Sequence, residues 1–315
     1  EKFLREKATE LGLPPDSTVG MMTAADLKKA GNEPVQKSGV KVESIVSAGI
    51  SLPITMGVTE TDPPVVGTVN SIVLTNSCMK PRAMVDAVRT MTEAKNVAFR
   101  EMDVRDRDGK NTASGTPTDT CLMAAKDGGE KPLDYAGPST ILGETIGRSC
   151  RKTVKNALSN CGFKASRHLK ERLEERNLSF DKLVKTAKEA YVRHPDSRSE
   201  QKITETIRKE FDRVLEDVNI SALVLSGLRL EEDGKSGLIP GLPEEIYESD
   251  PVHLLADEIL GMRIANYING SKAVFEFVRV DKSKPGVLGE LGPFSDDVIG
   301  GLIAGVCSRS YERGR

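Results

Sequence analysis

The chain changes texture once, after Cys161, and this limits it to two parts built on different principles. Before that point, short runs rich in β-branched residues at 42–46, 65–74 and 118–125 alternate with helix-like stretches. Residues 81–100 read as a helix, because Pro81 suits an early helical position and Ala83, Met84, Ala87 and Val88 recur at helical spacing. A second helix is expected over 139–158, and polar, glycine-containing joints at 106–118 and 127–138 read as loops. After Cys161 the pattern is helical: 168–176 as linker or helix, 180–191 with Leu183, Val184 and Ala187 on one stripe and Pro195 ending it, then 199–215, 220–230, 251–268 and 296–309. Only 273–280 alternates with period two. The expectation is two domains, an α/β or α+β domain over 1–162 and an all-α domain over 163–315.

Composition narrows the chemistry. With 38% hydrophobic and 29% charged residues, 315 residues suit two globular domains better than disorder. No apolar run reaches about 18 residues, so no transmembrane segment is expected, and the acidic opening is unlike a secretory signal. The chain does not begin with Met, so residue 1 is expected to lie inside a longer protein. A net charge of -2 and the absence of Trp predict no nucleic-acid partner, although a local basic patch is compatible with them. Five cysteines without paired spacing predict buried, reduced thiols and a cytoplasmic protein. With only His168, His194 and His253 available, any metal would be held by oxygens, which favours magnesium, with manganese as the alternative. A homo-oligomer is compatible with all of this.

Acidic residues gather in three segments of the second part. Asp250 precedes Pro251, the pattern of a helix N-cap followed by a first-turn proline, with Asp257, Glu258 and Gly261 in the helix beyond. Arg279, Asp281, Lys282 and Lys284 follow, and Asp296–Asp297 open a Gly- and Ala-rich helix. Taken singly, each segment also reads as a salt-bridged turn or as first-turn acids at a helix dipole. Together, carboxylates with a basic segment between them suit a phosphate ester, provided that a divalent cation separates the like charges. In the first part, Asn70 and Asn76 flank an expected strand, Glu93 lies on the first helix, and the run from Ala113 to Asp119 is dense in hydroxyls. That run can position a ligand or activate water, or be a loop with capping residues. No histidine precedes His168, so a Ser-His-Asp triad within this part is excluded.

Residues 175–315 resemble the phosphatidylglycerophosphatase A family through Asp250–Pro251, Asp257–Glu258 with Gly261, Phe277 to Asp281, Lys284–Pro285 and Asp296–Asp297 with Gly300. Without long apolar helices, the chain looks closer to the soluble archaeal α-ribazole phosphatases, which remove the 5′-phosphate of α-ribazole 5′-phosphate. This resemblance implies a metal and water-activating shell of Asp257, Glu258, Asp281, Asp296 and Asp297, with Asp250 as ligand or cap. Arg279, Lys282 and Lys284 become phosphate-side residues. Residues 20–160 resemble the adenosylcobinamide amidohydrolase family through Met22–Ala24, Gly67–Asn70, Thr92–Lys95, Gly115–Asp119, Tyr135–Gly137 and Gly143–Glu144. Where that family has a Thr-Gly-Thr-Gly-Thr-Asp run, this chain has Ser114 and Pro117. The resemblance implies cleavage of the aminopropanol amide of adenosylcobinamide, a corrinoid substrate, to adenosylcobyric acid, and it alone implies that the first domain is N-terminally incomplete. Asp119 or Glu93 would be the acid/base, Thr116 or Thr118 a substrate contact, and Asn70 and Asn76 the groups that polarise or bind the amide. The combined expectation is a bifunctional hydrolase of cobalamin salvage. The alternatives are a soluble phosphatase on a lipid or other small phosphate ester beside an inactive first domain, and a noncatalytic corrinoid-binding protein.

Overall fold

A computed structural model describes residues 2–60, 67–129, 131–193, 199–251 and 253–312. The chain divides into two compact units, Glu1–Ser166 and Arg167–Arg315.

The first unit opens with α1 (Lys2–Glu10) and is built on a four-stranded sheet: β1 (Gly31–Lys37), β2 (Val40–Gly49), β3 (Thr68–Thr75) and β4 (Thr120–Ala125), adjacent in that order. The first three strands are antiparallel. β4 runs parallel to β3, after a crossover through α2 (Pro81–Met102). Ser38 and Gly39, both at positive φ (48° and 82°), close the β1–β2 hairpin in the twist that such a two-residue loop requires. The sequence concealed β1, because Pro34 breaks its alternation; proline is tolerated there because β1 is an edge strand. Val65 and Val66, expected within a strand, lie outside the described residues.

Helix α2 begins at Pro81 and buries Ala83, Ala87, Met91, Ala94, Ala98, Phe99 and Met102, a stripe at three- and four-residue steps. Helix α3 (Ile141–Asn160) starts where the Thr140 hydroxyl accepts the Gly143 N–H at 2.9 Å. Both helices cover the sheet face formed by Val42, Val46, Val69 and Val73. On the opposite face Ile45, Ile72 and Leu122 align in register and stay half-buried.

The second unit is helical: α4 (Leu169–Glu174), α5 (Phe180–Ala190), α6 (Glu200–Leu215), α7 (Val218–Lys235), α8 (Glu244–Ser249), α9 (Ala256–Ser283) and α10 (Pro293–Glu312). Pro195 and His194 lie outside the described residues. Helix α10 is buried on all sides from Phe294 to Ser308, so it forms the axis of the unit. Its small residues explain the close packing of α9: a Cβ on Gly301 would stand 2.7 Å from the Gly261 carbonyl carbon, and one on Gly261 2.9 Å from the Phe277 ring.

Three expectations change here. The helix expected from residue 251 starts at Ala256, and Asp250 is not its N-cap. Asp250 instead ends α8 in the left-handed conformation, φ 42° and ψ 61°. The period-two stretch 273–280 belongs to α9; its alternation comes from Ala273, Phe277 and Val280 facing the core while Phe275 and Val278 face solvent. A local break at Asn269–Gly270 interrupts α9 upstream of that stretch. All five cysteines are free, but only Cys150 and Cys307 are buried; Cys78 and Cys121 are half-buried and Cys161 is exposed. Among the described residues no helix is long and apolar enough to cross a membrane.

Candidate active sites

In the first unit the chemistry converges on Asp119, at the end of the loop entering β4. One of its oxygens accepts the Val69 N–H at 2.8 Å and the other the Thr116 N–H at 3.1 Å. The Thr116 hydroxyl and the Lys95 ammonium complete its shell. Lys95 reaches it from α2 with a side chain only 11% exposed. Gly115 makes the approach feasible: a Cβ there would fall 2.7 Å from Lys95 Nζ and closer still to Asp119. The adjoining hydroxyls are ordered too. Thr116 and Thr118 each lie 2.8 Å from the Gly67 carbonyl oxygen, and Thr68 donates within 2.7 Å of Asn70 Oδ1. The Asn70 amide donates to the Met22 carbonyl at 2.7 Å, pinning the segment before β1 over the start of β3. Beside it an open groove of about 420 Å³ is lined by Gly20, Met22, Thr23, Thr68, Thr118 and Thr120.

Asp119, Thr116, Thr118 and Asn70 are thus brought together, whereas Asn76 and Glu93 are not. The Asn76 amide accepts the Lys41 N–H at 2.8 Å and donates to the Gly39 carbonyl at 3.1 Å. It braces the hairpin at the far end of β3, about 20 Å along the strand from Asn70 at the usual rise per residue. Glu93 is exposed on α2, about 200° around the helix from Lys95 at 100° per residue. Lys95 is the residue that sequence reasoning left without a role. Its signal was there: a lysine within the stripe of Met91, Ala94, Ala98 and Phe99 is a buried charge that needs a partner. Nearby, burial pushes the Cys121 thiol above its ordinary range, with Lys95 opposing part of the rise.

In the second unit the carboxylates of Asp250, Asp257, Asp281, Asp296 and Asp297 interact across the junction of α8, α9 and α10. Asp257, Asp296 and Asp297 are only 1%, 6% and 7% exposed. Burial is the main force on each. It drives Asp297 up to about 9, with help from the Asp296 charge and a hydrogen bond to Asp281. It drives Asp257 to about 6, with Asp250 and Asp296 adding repulsion. Asp296 and Asp250 are raised by burial as well, and Lys284 opposes the rise in both. Lys284 pairs with Asp296; burial alone would lower its ammonium, but Asp296, Asp281 and Asp297 raise it above its ordinary value. Asp250 and Lys284 are both non-glycine residues in the left-handed region, with φ of 42° and 36°. Such strain collects where surrounding structure enforces a position.

Asp257 Oδ1 is buried without a hydrogen-bond partner. An unpaired carboxylate oxygen facing further carboxylates is unfavourable unless a proton or cation is supplied. In charge and donor type the cluster suits a hard divalent cation. Among the described residues, however, no three His, Cys, Asp or Glu side chains already stand together as an ion-holding group. Binding would therefore require the carboxylates to draw in. Glu258 is half-buried one position beyond Asp257 and points about 100° away around the helix. Arg279 is turned elsewhere, donating to the Ala190 carbonyl and pairing with Glu276, and Lys282 is exposed.

The chain is 36% identical over 119 residues to the uncharacterized protein MJ1330 of Methanocaldococcus jannaschii, a match covering 36% of this chain and 87% of that protein. It is 37% identical over 94 residues to the uncharacterized protein MJ1613 of the same organism, covering 30% of this chain and 36% of that relative. Among solved structures, the ypjQ protein of Bacillus subtilis aligns with 46% of this chain and 91% of its own at 24% identity, with a TM-score of 0.41. The family model for adenosylcobinamide amidohydrolase matches residues 1–163, the stretch that contains Lys95, Asp119 and the hydroxyl-lined groove. The chain belongs to the adenosylcobinamide amidohydrolase (CbiZ) family.

Proposed function

We propose that the chain is a bifunctional hydrolase, its first domain cleaving the aminopropanol amide of adenosylcobinamide and its second removing the phosphate of α-ribazole 5′-phosphate. For the amide reaction the supporting observation is the Lys95–Asp119 pair, buried beneath the Gly115 loop beside a hydroxyl-lined groove. Asp119 has its oxygens occupied by two N–H groups, a hydroxyl and an ammonium, so it acts as the anchor of Lys95 rather than as a free base. The Lys95 hydrogens not used by Asp119 are available to a carbonyl oxygen as negative charge develops there. Water adds to the carbonyl carbon, the C–N bond breaks, and the amine leaves with a proton. The groove is open, as a bulky corrinoid requires, and the half-buried Ile45, Ile72 and Leu122 offer apolar sheet surface in the same unit. Incubating the full chain with adenosylcobinamide should yield adenosylcobyric acid, and Lys95→Met should lower the rate by at least about a hundredfold. Equal rates for variant and wild type would remove Lys95 from the reaction.

For the phosphate reaction the carrying observation is the buried, partnerless Asp257 Oδ1 amid the cluster. Asp257, Asp296 and Asp297 would hold a divalent cation, magnesium or manganese, with Asp250, Asp281 and Glu258 at its margin. When bound, such a cation supplies the charge that lets a phosphate approach carboxylates and lowers the pKa of an attacking water. Lys284, which pairs with Asp296, would take a phosphate oxygen. The test is phosphate release from α-ribazole 5′-phosphate with magnesium and with chelator. Metal-dependent release that vanishes in Asp257→Asn supports the reading. A folded, metal-supplied chain that releases nothing from this ester would point to another phosphate ester or to a binding role.

A further inference from the structure

We infer that Glu231 and Tyr247 are a positioning pair for the carboxylate cluster, holding the segments that carry Asp250 and Asp296–Asp297 in place around Asp257. The inference rests on the proposed cation-dependent role of that cluster. Glu231, on α7, is 5% exposed, unusual for a carboxylate, and receives donors from three elements. One oxygen accepts the N–H groups of Phe294 and Ser295, at 3.0 and 3.1 Å, in the first turn of α10. The other accepts the Tyr247 hydroxyl at 2.9 Å and pairs with Lys235 at 2.7 Å. An anion at a helix N-terminus is favoured by the helix dipole, so Glu231 is tied to the turn that presents Asp296 and Asp297.

Tyr247 carries the same tie to α8. It lies three residues before Asp250, and its ring meets Phe294 edge-on with centroids 5.3 Å apart. The space around the pair is kept open by glycines. A Cβ on Gly292 would overlap the Glu231 carboxylate, and one on Gly234 would stand 2.7 Å from the Tyr247 ring. A surface serine or aspartate would suffice merely to cap α10. A buried carboxylate shared among α7, α8 and α10 does more, because it fixes the two acid-bearing segments relative to each other. Outer partners of this kind orient metal ligands without touching the metal.

The test is manganese affinity of the full chain, read by the electron paramagnetic resonance of free Mn2+, for wild type, Tyr247→Phe and Glu231→Gln. Tyr247→Phe removes one hydroxyl and leaves the ring contact with Phe294. It should bind Mn2+ about 10-fold more weakly at an unchanged melting temperature, and Glu231→Gln up to about 100-fold more weakly. Variants that bind like a tightly binding wild type would overturn the inference while leaving the cation reading intact. A wild type that binds no Mn2+ would overturn the cation reading itself, and the inference with it. If Glu231→Gln does not fold, Tyr247→Phe alone decides.

Discussion

Asp119 and Asp257 are both withdrawn from solvent on the loop side or first turn of a regular element, yet their surroundings are opposite. Asp119 is saturated with donors: two backbone N–H groups, a hydroxyl and an ammonium. Asp257 has one oxygen without any partner, and its neighbours are other acids. The first arrangement is complete as the chain folds and holds Lys95 in a fixed place. The second is short of positive charge and gains only from a proton or a cation. One unit therefore carries a preassembled polar network, the other a site whose stability depends on what is added to it.

The contrast breaks most severely at the charges themselves. Lys95→Met leaves Asp119 uncompensated and should destabilise the first unit by roughly 3–5 kcal/mol. Denaturant unfolding of the full chain should show its first transition lowered, and a loss below about 1 kcal/mol would mean that the pair is solvent-screened. In the second unit the sign reverses, because Asp257→Asn removes repulsion. Saturating Mn2+ should stabilise the wild type by about 3 kcal/mol at a hundredfold excess over its Kd, and should barely affect the variant. Equal metal-induced shifts of melting temperature in the two proteins would contradict the assignment of Asp257.

Packing provides a smaller test. Gly301→Ala must push α9 away from α10 and should destabilise the helical unit by about 1–3 kcal/mol. Gly39→Ala, at a surface hairpin with open space around it, should cost only about 1 kcal/mol, from its φ of 82°. The comparison by chemical denaturation separates crowding from backbone strain.

The last test is one of pH. Folded Asp297 keeps its proton up to about 9, whereas the unfolded chain loses it near the ordinary value of 3.8. Its contribution is therefore fully present below 3.8 and is lost as pH rises through about 9. In chelator, Asp297→Asn should match the wild type near pH 4 and grow progressively more stable than it towards pH 9. A constant difference across this range, followed by thermal unfolding, would show that Asp297 does not retain its proton.

Helix positions were largely legible because periodic burial is local. Pro81, the stripe through Met91 and Phe99, and the Gly- and Ala-rich run after Asp297 each announce an element within a few residues. Strand β1 was not legible, because its partner β2 and its edge position, rather than its composition, make Pro34 acceptable. Asp250–Pro251 also misled. A dipeptide typical of helix starts instead ends α8 in a left-handed turn, with the Asp250 N–H donating to the Tyr247 carbonyl.

By itself the sequence determined the two-part texture, the helical character of the second part, the lack of long apolar spans and the inventory of acids and hydroxyls. Which members of that inventory meet was decided by tertiary structure alone. Lys95 and Asp119 are brought together by the crossover from α2 to β4; Asp257 and Asp297 by the glycine-lined contact of α9 with α10; Glu231 with the start of α10 by a carboxylate reaching across from α7. The physical reason is range. Propensity and periodicity act over a few residues, whereas desolvation and charge pairing depend on neighbours that only the folded chain supplies.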